Sequence, residues 1–275
     1  MRGEGIRARK ALGQNFLVDR NVIARIADAV DIGPEDRILE VGPGKGALTE
    51  LLAARCARLV AVELDTRLVP VLRREFSENQ RVEIVHDDIL KLDLRSLLAS
   101  EGAGKWKVAA NLPYNISTPV LFKFLDHMDL FSRLVLMLQK EVGDRLAASP
   151  GTKDYGTLSV FFQLHFNVAR ELIVRPGSFH PVPKVDSVVL SFVPLEKPRE
   201  EVGDERYFRR MVKGAFSMRR KTLWNCLKGA DLGLSGGQLA EALETCGIDP
   251  GRRGETLSLG EFAALSRAMI ALGGI

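Results

Sequence analysis

The run Arg37-Ile38-Leu39-Glu40-Val41 passes without a spacer into Gly42-Pro43-Gly44-Lys45-Gly46, and this junction limits the possible folds most strongly. A short, largely apolar run bounded by turn residues reads as a buried strand. Helical periodicity resumes at Ala47-Leu48-Thr49-Glu50-Leu51-Leu52-Ala53-Ala54-Arg55, and a second apolar run, Leu59-Val60-Ala61-Val62, ends on Glu63. Strand, glycine turn, helix, strand and terminal acid, in that order, predict the nucleotide-binding half of a doubly wound α/β fold. Glycines let the backbone approach a ligand closely, and a carboxylate about 20 residues further on can accept from both ribose hydroxyls.

The spacing then narrows the ligand. The dinucleotide fingerprint GxGxxG seats a pyrophosphate at a helix N-terminus. Here the third glycine of Gly42, Gly44 and Gly46 comes one residue early, and Glu40 sits where a carboxylate repels a pyrophosphate and suits an amino group. This form resembles motif I of S-adenosylmethionine-dependent methyltransferases, whose cofactor carries a sulfonium and an ammonium but no phosphate. A NAD-dependent dehydrogenase is the disfavoured alternative. The next strand, Val82-Glu83-Ile84-Val85, ends at His86-Asp87-Asp88. An acid there can accept from an adenine amine, and Asp88 matches the adenine-binding Asp of such enzymes, while Asp87 reads as a turn or cap residue.

A fourth strand ends in Asn111-Leu112-Pro113-Tyr114. On its own this is a turn, because Asn and Pro are ordinary turn residues. Placed beside the other three strand tips, it becomes part of a composite site at the carboxyl edge of the sheet, where open α/β folds bind ligands. An exocyclic amine on adenine is a poor nucleophile, so transfer to it needs acceptors that hold its N–H protons as the nitrogen becomes tetrahedral. The Asn111 side-chain carbonyl and the Leu112 backbone carbonyl can be those acceptors, since Pro113 fixes the local geometry and brings no competing N–H. Tyr114 offers a face for the base.

Apolar residues make up 46% of the 275, and no apolar run approaches the length that spans a bilayer, so no membrane partner is expected. The first residues lack a secretory pattern. Cys56, Cys226 and Cys246 are odd in number without CxxC spacing, which argues against a disulfide framework or a zinc site and for a reducing cytoplasm. Net charge is only +4, but eight basic residues and no acid lie between Arg206 and Lys228: Arg206, Arg209, Arg210, Lys213, Arg219, Arg220, Lys221 and Lys228. Arg2, Arg7, Arg9, Lys10, Arg20 and Arg25 form a second basic segment. Two such segments point to a polyanion.

Elsewhere, Val22, Ile23, Ile26, Ala27 and Val30 recur at helical spacing, with Asp19 as a candidate cap. Ser117–Asp129 and Lys140–Ala148 read as helices, and Leu134–Leu138 and Ser187–Phe192 as strands. Thr157–Phe166 is ambiguous between helix and strand. Glu196–Glu205, charged and Pro/Gly-containing, is the candidate linker to a helical C-terminal region. The expected division is 1–195 for a methyltransferase domain, with 1–30 touching cofactor or RNA, and 206–275 for a helical, rRNA-binding domain.

Taken together, Asn111-Leu112-Pro113-Tyr114 resembles motif IV of N6-adenine methyltransferases. Lys10-Ala11-Leu12-Gly13-Gln14-Asn15-Phe16-Leu17, Glu40–Gly46 and Phe179-His180-Pro181-Val182-Pro183-Lys184-Val185-Asp186-Ser187 extend the likeness to the ribosomal RNA adenine dimethyltransferase family, bacterial small-subunit type. The resemblance implies a Rossmann-like fold with a small helical domain, S-adenosylmethionine as cofactor, and dimethylation of two adjacent adenines in the 3′-terminal hairpin of 16S rRNA. The substrate implied is an immature small ribosomal subunit, met by a monomer. Position by position, it implies cofactor contacts from Asn15, Leu17, Gly42, Gly44, Glu63, Asp88 and Asn111. It places Asn111, Leu112, Pro113, Tyr114 and Phe179 around the target base, with Phe179 closing opposite Tyr114. Without it, Gln14–Leu17 would be a helix lead-in and Phe179 a core aromatic. Arg209, Arg210, Lys213, Arg219, Arg220 and Lys221 are the candidate RNA contacts. A large-subunit adenine methyltransferase and a non-catalytic RNA-binding assembly factor are the other readings. The second is disfavoured because Glu63 and the Asn111 cluster are both present.

Overall fold

A computed structural model describes residues 6–9, 12–99 and 104–274. Lys10 and Ala11 of the opening motif, and Arg2 and Lys10 of the first basic segment, lie outside the described residues. The chain divides into two compact units, residues 1–143 with 167–194 and residues 144–166 with 195–275.

In the first unit a seven-stranded sheet is built from β2 (Arg37–Val41), β3 (Arg58–Glu63), β4 (Val82–His86), β5 (Trp106–Asn111), β6 (Phe131–Gln139), β7 (Phe166–Val174) and β9 (Ser187–Pro194). Its order is β4-β3-β2-β5-β6-β9-β7. The β2/β3, β2/β5, β3/β4 and β5/β6 pairs are parallel, and β9 joins β6 antiparallel. Ile38, Leu39, Val60, Ala61, Val108, Ala109, Val135 and Leu136 are all buried, as strands covered on both faces require. The connection reverses direction between β2 and β5, so the switch-point crevice opens where Val41 and Asn111 end their strands.

Helices α1 (Arg20–Ala29), α2 (Ala47–Ala53), α3 (Val69–Glu75), α4 (Leu94–Ala99) and α5 (Ser117–Asp126) belong to this unit. Asp19 does cap α1, accepting from the Asn21 and Val22 amides, and Ile23, Ile26 and Ala27 form its buried stripe. The helix expected over Ser117–Asp129 stops at Asp126 and gives way to a 3-10 turn, Met128–Leu130. Gln14–Leu17 is more than a helix lead-in: Phe16–Leu17 forms a short strand, β1, antiparallel to β8 (Phe179–His180).

The second unit carries part of α6 (Lys140–Leu146), then α7 (Thr157–His165), α8 (Glu205–Ala215), α9 (Leu223–Lys228), α10 (Gly236–Thr245) and α11 (Leu259–Ala271). The ambiguous stretch resolves as helix α7 followed at once by β7, a strand the periodicity does not predict because five of its nine positions are exposed or half-exposed in succession. Residues 144–166 group with the C-terminal helices, so the division is not the single cut near 195 that the linker suggests. Phe208, Met211, Val212, Leu239, Ala242, Leu243, Phe262, Leu265 and Met269 supply the core stripes their spacing predicts.

Candidate active site

A cavity of about 210 Å³ lies at the carboxyl edge of the first unit, lined by the tips of β2, β3 and β5, the turn after β4 and residues 12–18. Gly42, Gly44 and Gly46 all have left-handed φ (+70°, +58° and +79°), which side chains rarely adopt. A Cβ on Gly44 would also stand 3.2 Å from the Phe16 ring. The loop therefore needs glycine for conformation and for clearance.

Among the described residues, four carboxyl groups (Glu40, Glu63, Asp87 and Asp88) line this cavity, against Lys45 and His180 on the basic side. Such a lining disfavours phosphate and suits a cationic ligand. Glu40 is 2% exposed, and its Oε2 is buried without a hydrogen-bond partner. Burial pushes its carboxyl up to about 8, with the nearby Glu63 adding to the effect. Glu63 is also raised by burial, opposed by the backbone amides of Asp65, Gly44 and Leu64. Gly44 N donates to its Oε2 at 3.2 Å and Asp65 N to its Oε1 at 2.8 Å. Each oxygen keeps a second lone pair for a ribose hydroxyl. Asp88 Oδ1 accepts from Leu90 N at 3.0 Å, which shapes the turn around this acid.

These residues fit S-adenosylmethionine on the structure's own terms. The orphaned Glu40 oxygen suits an ammonium, Glu63 suits a diol, and Asp88 suits an aromatic amine. Asn15, Leu17, Gly42, Gly44, Glu63, Asp88 and Asn111, the cofactor residues read from sequence, all line the one cavity.

On the other wall, Asn111 Nδ2 donates to the Asn15 carbonyl at 3.3 Å. Only the nitrogen of an amide can donate, so this bond fixes Oδ1 as the free acceptor end. Leu112 N is held by Met137 O at 3.2 Å, and the Pro113 carbonyl accepts from Ile116 N and Ser117 Oγ. The Asn-Leu-Pro-Tyr turn is thus anchored on both sides of its proline. Tyr114 is half-buried, its hydroxyl 2.8 Å from Ser187 Oγ, and burial raises its phenol. Phe179 behaves differently from the sequence expectation. It is 2% exposed and packed in the core cluster with Ile23, Ile26 and Leu48, while its neighbour His180 lines the cavity. Pairing of β8 with β1 accompanies this inward placement of Phe179, which anchors the wall.

Residues that sequence reasoning passed over complete the site. Asp65, 1% exposed, accepts from Arg67 Nε and Nη2 (2.9 and 2.6 Å) and from Gln14 Nε2 (3.0 Å). The Arg67 guanidinium holds its carboxyl well below the usual carboxylate range. The signal was present in sequence as a second acid two residues past Glu63. Lys123 of α5 donates to the Leu90 and Leu92 carbonyls and pins the turn after Asp88. Nothing in its local sequence announces that contact.

In the second unit the basic residues split into two kinds. Arg209 pairs with Glu205 at 2.8 Å and Arg210 lies over Tyr207 at 5.3 Å. Lys213, Arg219, Arg220 and Lys221 are exposed, the last three together in the turn between α8 and α9, where Arg219 also donates to the Lys153 carbonyl. Among the described residues no helix is long and apolar enough to cross a membrane.

A switch-point cavity with an acid-ringed, phosphate-averse cofactor side and an Asn-Leu-Pro-Tyr wall defines a Rossmann-like methyltransferase that uses S-adenosylmethionine. The model of the ribosomal RNA adenine dimethylase family matches residues 5–270, and the chain belongs to that family. It is 85% identical over 274 residues, 100% of each chain, to Ribosomal RNA small subunit methyltransferase A of Geobacter metallireducens. Among solved structures it is similar to a dimethyladenosine transferase from Plasmodium falciparum, with TM-score 0.81 and 25% identity over 94% of this chain and 98% of that one. It is also similar to the 23S rRNA methyltransferase ErmE, with TM-score 0.69 and 25% identity over 93% and 100% of the two chains. The chain is accordingly an S-adenosylmethionine-dependent enzyme that dimethylates adenine in ribosomal RNA.

Proposed function

We propose that this site methylates N6 of two adjacent adenines in the 3′-terminal hairpin of 16S rRNA, acting as a monomer on an immature small subunit in the cytoplasm. When bound, S-adenosylmethionine supplies an electrophilic methyl on a sulfonium. The chain's own residues orient the two partners. Glu40 meets the cofactor's ammonium, Glu63 its ribose and Asp88 its adenine, with Asn15, Leu17, Gly42 and Gly44 closing around it. Asn111 Oδ1 and the Leu112 carbonyl accept the N–H protons of the target amine and draw its lone pair out of the ring. Tyr114, held by Ser187, stacks on the base. No strong base is required, because the methylated ammonium is acidic enough to lose its proton afterwards. A base must leave any duplex to reach this wall, which favours a hairpin loop.

One observation carries the reading: the Asn111 amide is turned by the Asn15 carbonyl so that its acceptor end is the free one, in the same cavity as the cofactor acids. The exposed Arg219-Arg220-Lys221 turn supports RNA docking by the second unit, with Lys213, Arg209 and Arg210 behind it. The test supplies radioactive S-adenosylmethionine to unmethylated small-subunit particles and, separately, to free large-subunit RNA. Label in two neighbouring adenines of the small-subunit hairpin is expected. Label in large-subunit RNA alone transfers the assignment to that substrate, and cofactor binding without label in either overturns the reading.

A further inference from the structure

A chain of hydrogen bonds joins the two halves of the cavity. It begins at Glu63, whose Oε1 accepts from Asp65 N at 2.8 Å. The Asp65 side chain is gripped by Arg67 and gives its remaining capacity to Gln14, whose Nε2 donates to Oδ2 at 3.0 Å. Gln14 is engaged at its other end as well, because Oε1 accepts from Arg9 N at 2.8 Å. The next residue is Asn15, whose carbonyl accepts from the Asn111 amide. Residues 12–17 thus form a strap across the cavity, tied to the ribose-side acids at Gln14 and to the target-side amide at Asn15. The Phe16 ring lies under Lys45 (5.2 Å) and against Gly44, which fixes the strap to the glycine loop as well.

We propose that Asp65 is a positioning residue that acts through Gln14 and Asn15 to aim the Asn111 amide, coupling occupancy of the cofactor side to readiness of the target side. The inference rests on the function proposed above and adds residues and a coupling to it. Asp65 suits the task for a physical reason. It is buried, fully ionised and held by a two-pronged guanidinium contact, so its position varies little. A hydrogen bond to such a carboxylate is worth more than one between neutral groups. Gln14 reads that position with a planar amide whose two ends are both engaged, and it passes the constraint to the adjoining peptide.

Gln14→Glu is the informative change. It keeps the shape and the acceptor for Arg9 N, and it replaces only the bond to Asp65 with a repulsion between carboxylates. Dissociation of S-adenosylhomocysteine, read by stopped-flow fluorescence, should quicken about tenfold or more in this variant. Gln14→Leu should lie between Gln14→Glu and the parent. Equal dissociation rates in Gln14→Leu and Gln14→Glu overturn the role proposed for Asp65, since a packing role does not depend on charge. For the Asn111 half, Gln14→Leu should lower kcat for transfer about tenfold with KM for the RNA little changed. In an Asn111→Ala background the same substitution should lower kcat by less than about twofold, because residues acting as a unit are not additive. Additive losses overturn that half. The dissociation arm needs no methyl transfer, so a parent enzyme that binds cofactor and labels no small-subunit RNA counts against the proposed function and leaves the role of Asp65 decided by its own result.

Discussion

Glu40 offers the sharpest quantitative test of the cofactor side. Its carboxyl is fully buried, one oxygen has no partner, and burial moves it from an ordinary 4.5 to about 8. The folded state therefore holds a proton that the unfolded chain releases above pH 4.5, so stability falls as pH rises from 4.5 to about 8 and levels off beyond. At about 1.4 kcal/mol per pH unit the whole interval is worth about 5 kcal/mol. Glu40→Gln removes this slope without changing the shape of the side chain. In urea unfolding the parent should lose about 2–3 kcal/mol more than the variant between pH 5.5 and 7.5. Cofactor binding reports the same proton. With its carboxyl pushed up to about 8, Glu40 is mostly protonated in the free enzyme at pH 7, and an ammonium placed against it favours the ionised form. Calorimetric titration with S-adenosylmethionine in buffers of different ionisation enthalpy should then show proton release on binding by the parent and none attributable to this site in Glu40→Gln. Matching pH slopes together with matching proton counts in the two proteins would refute the reasoning.

Three further outcomes are expected. Asn111→Ala should lower kcat about 10²-fold with cofactor affinity within a few-fold, since its acceptor matters most as the target nitrogen becomes tetrahedral; equal loss of binding and turnover in parallel titration and transfer assays would contradict this. Gly44→Ala should destabilise by about 1–2 kcal/mol in urea unfolding and weaken cofactor binding, because φ is +58° and the Phe16 ring stands 3.2 Å from the added carbon. Replacing Arg219, Arg220 and Lys221 together by Ala should weaken RNA binding and reduce the slope of log K against log salt by about 2; an unchanged slope in filter-binding assays would place the RNA on another surface.

Much of the site can be read from the chain in order, because its parts are local. A strand's carboxyl end, a glycine loop with left-handed φ and an acid at a strand tip are each written within a few consecutive residues. Open α/β topology then gathers such tips along one edge without further instruction. That is why Gly42, Gly44, Glu63, Asp88 and Asn111 meet in one cavity as their sequence positions imply. The helical stripes of α8, α10 and α11 are legible for the same reason, since their apolar spacing sets which face is covered.

Tertiary structure decided what depends on partners far along the chain. Phe179 sits in a motif that suggests an exposed aromatic, yet pairing with Leu17 across 162 residues of chain turns it into the core and brings His180 to the cavity. Residues 144–166 group with the C-terminal helices, with Phe161 packed 6.4 Å from Phe208, which no composition shift marks. Asp65 gains its role only when Gln14, 51 residues earlier, folds across the glycine loop. The sequence by itself determined the sheet edge and the chemical groups standing on it, through short-range strand and turn chemistry. Which end of the Asn111 amide is left free in the cavity, and what holds it there, was decided by a carbonyl at Asn15 that only the folded chain brings within 3.3 Å.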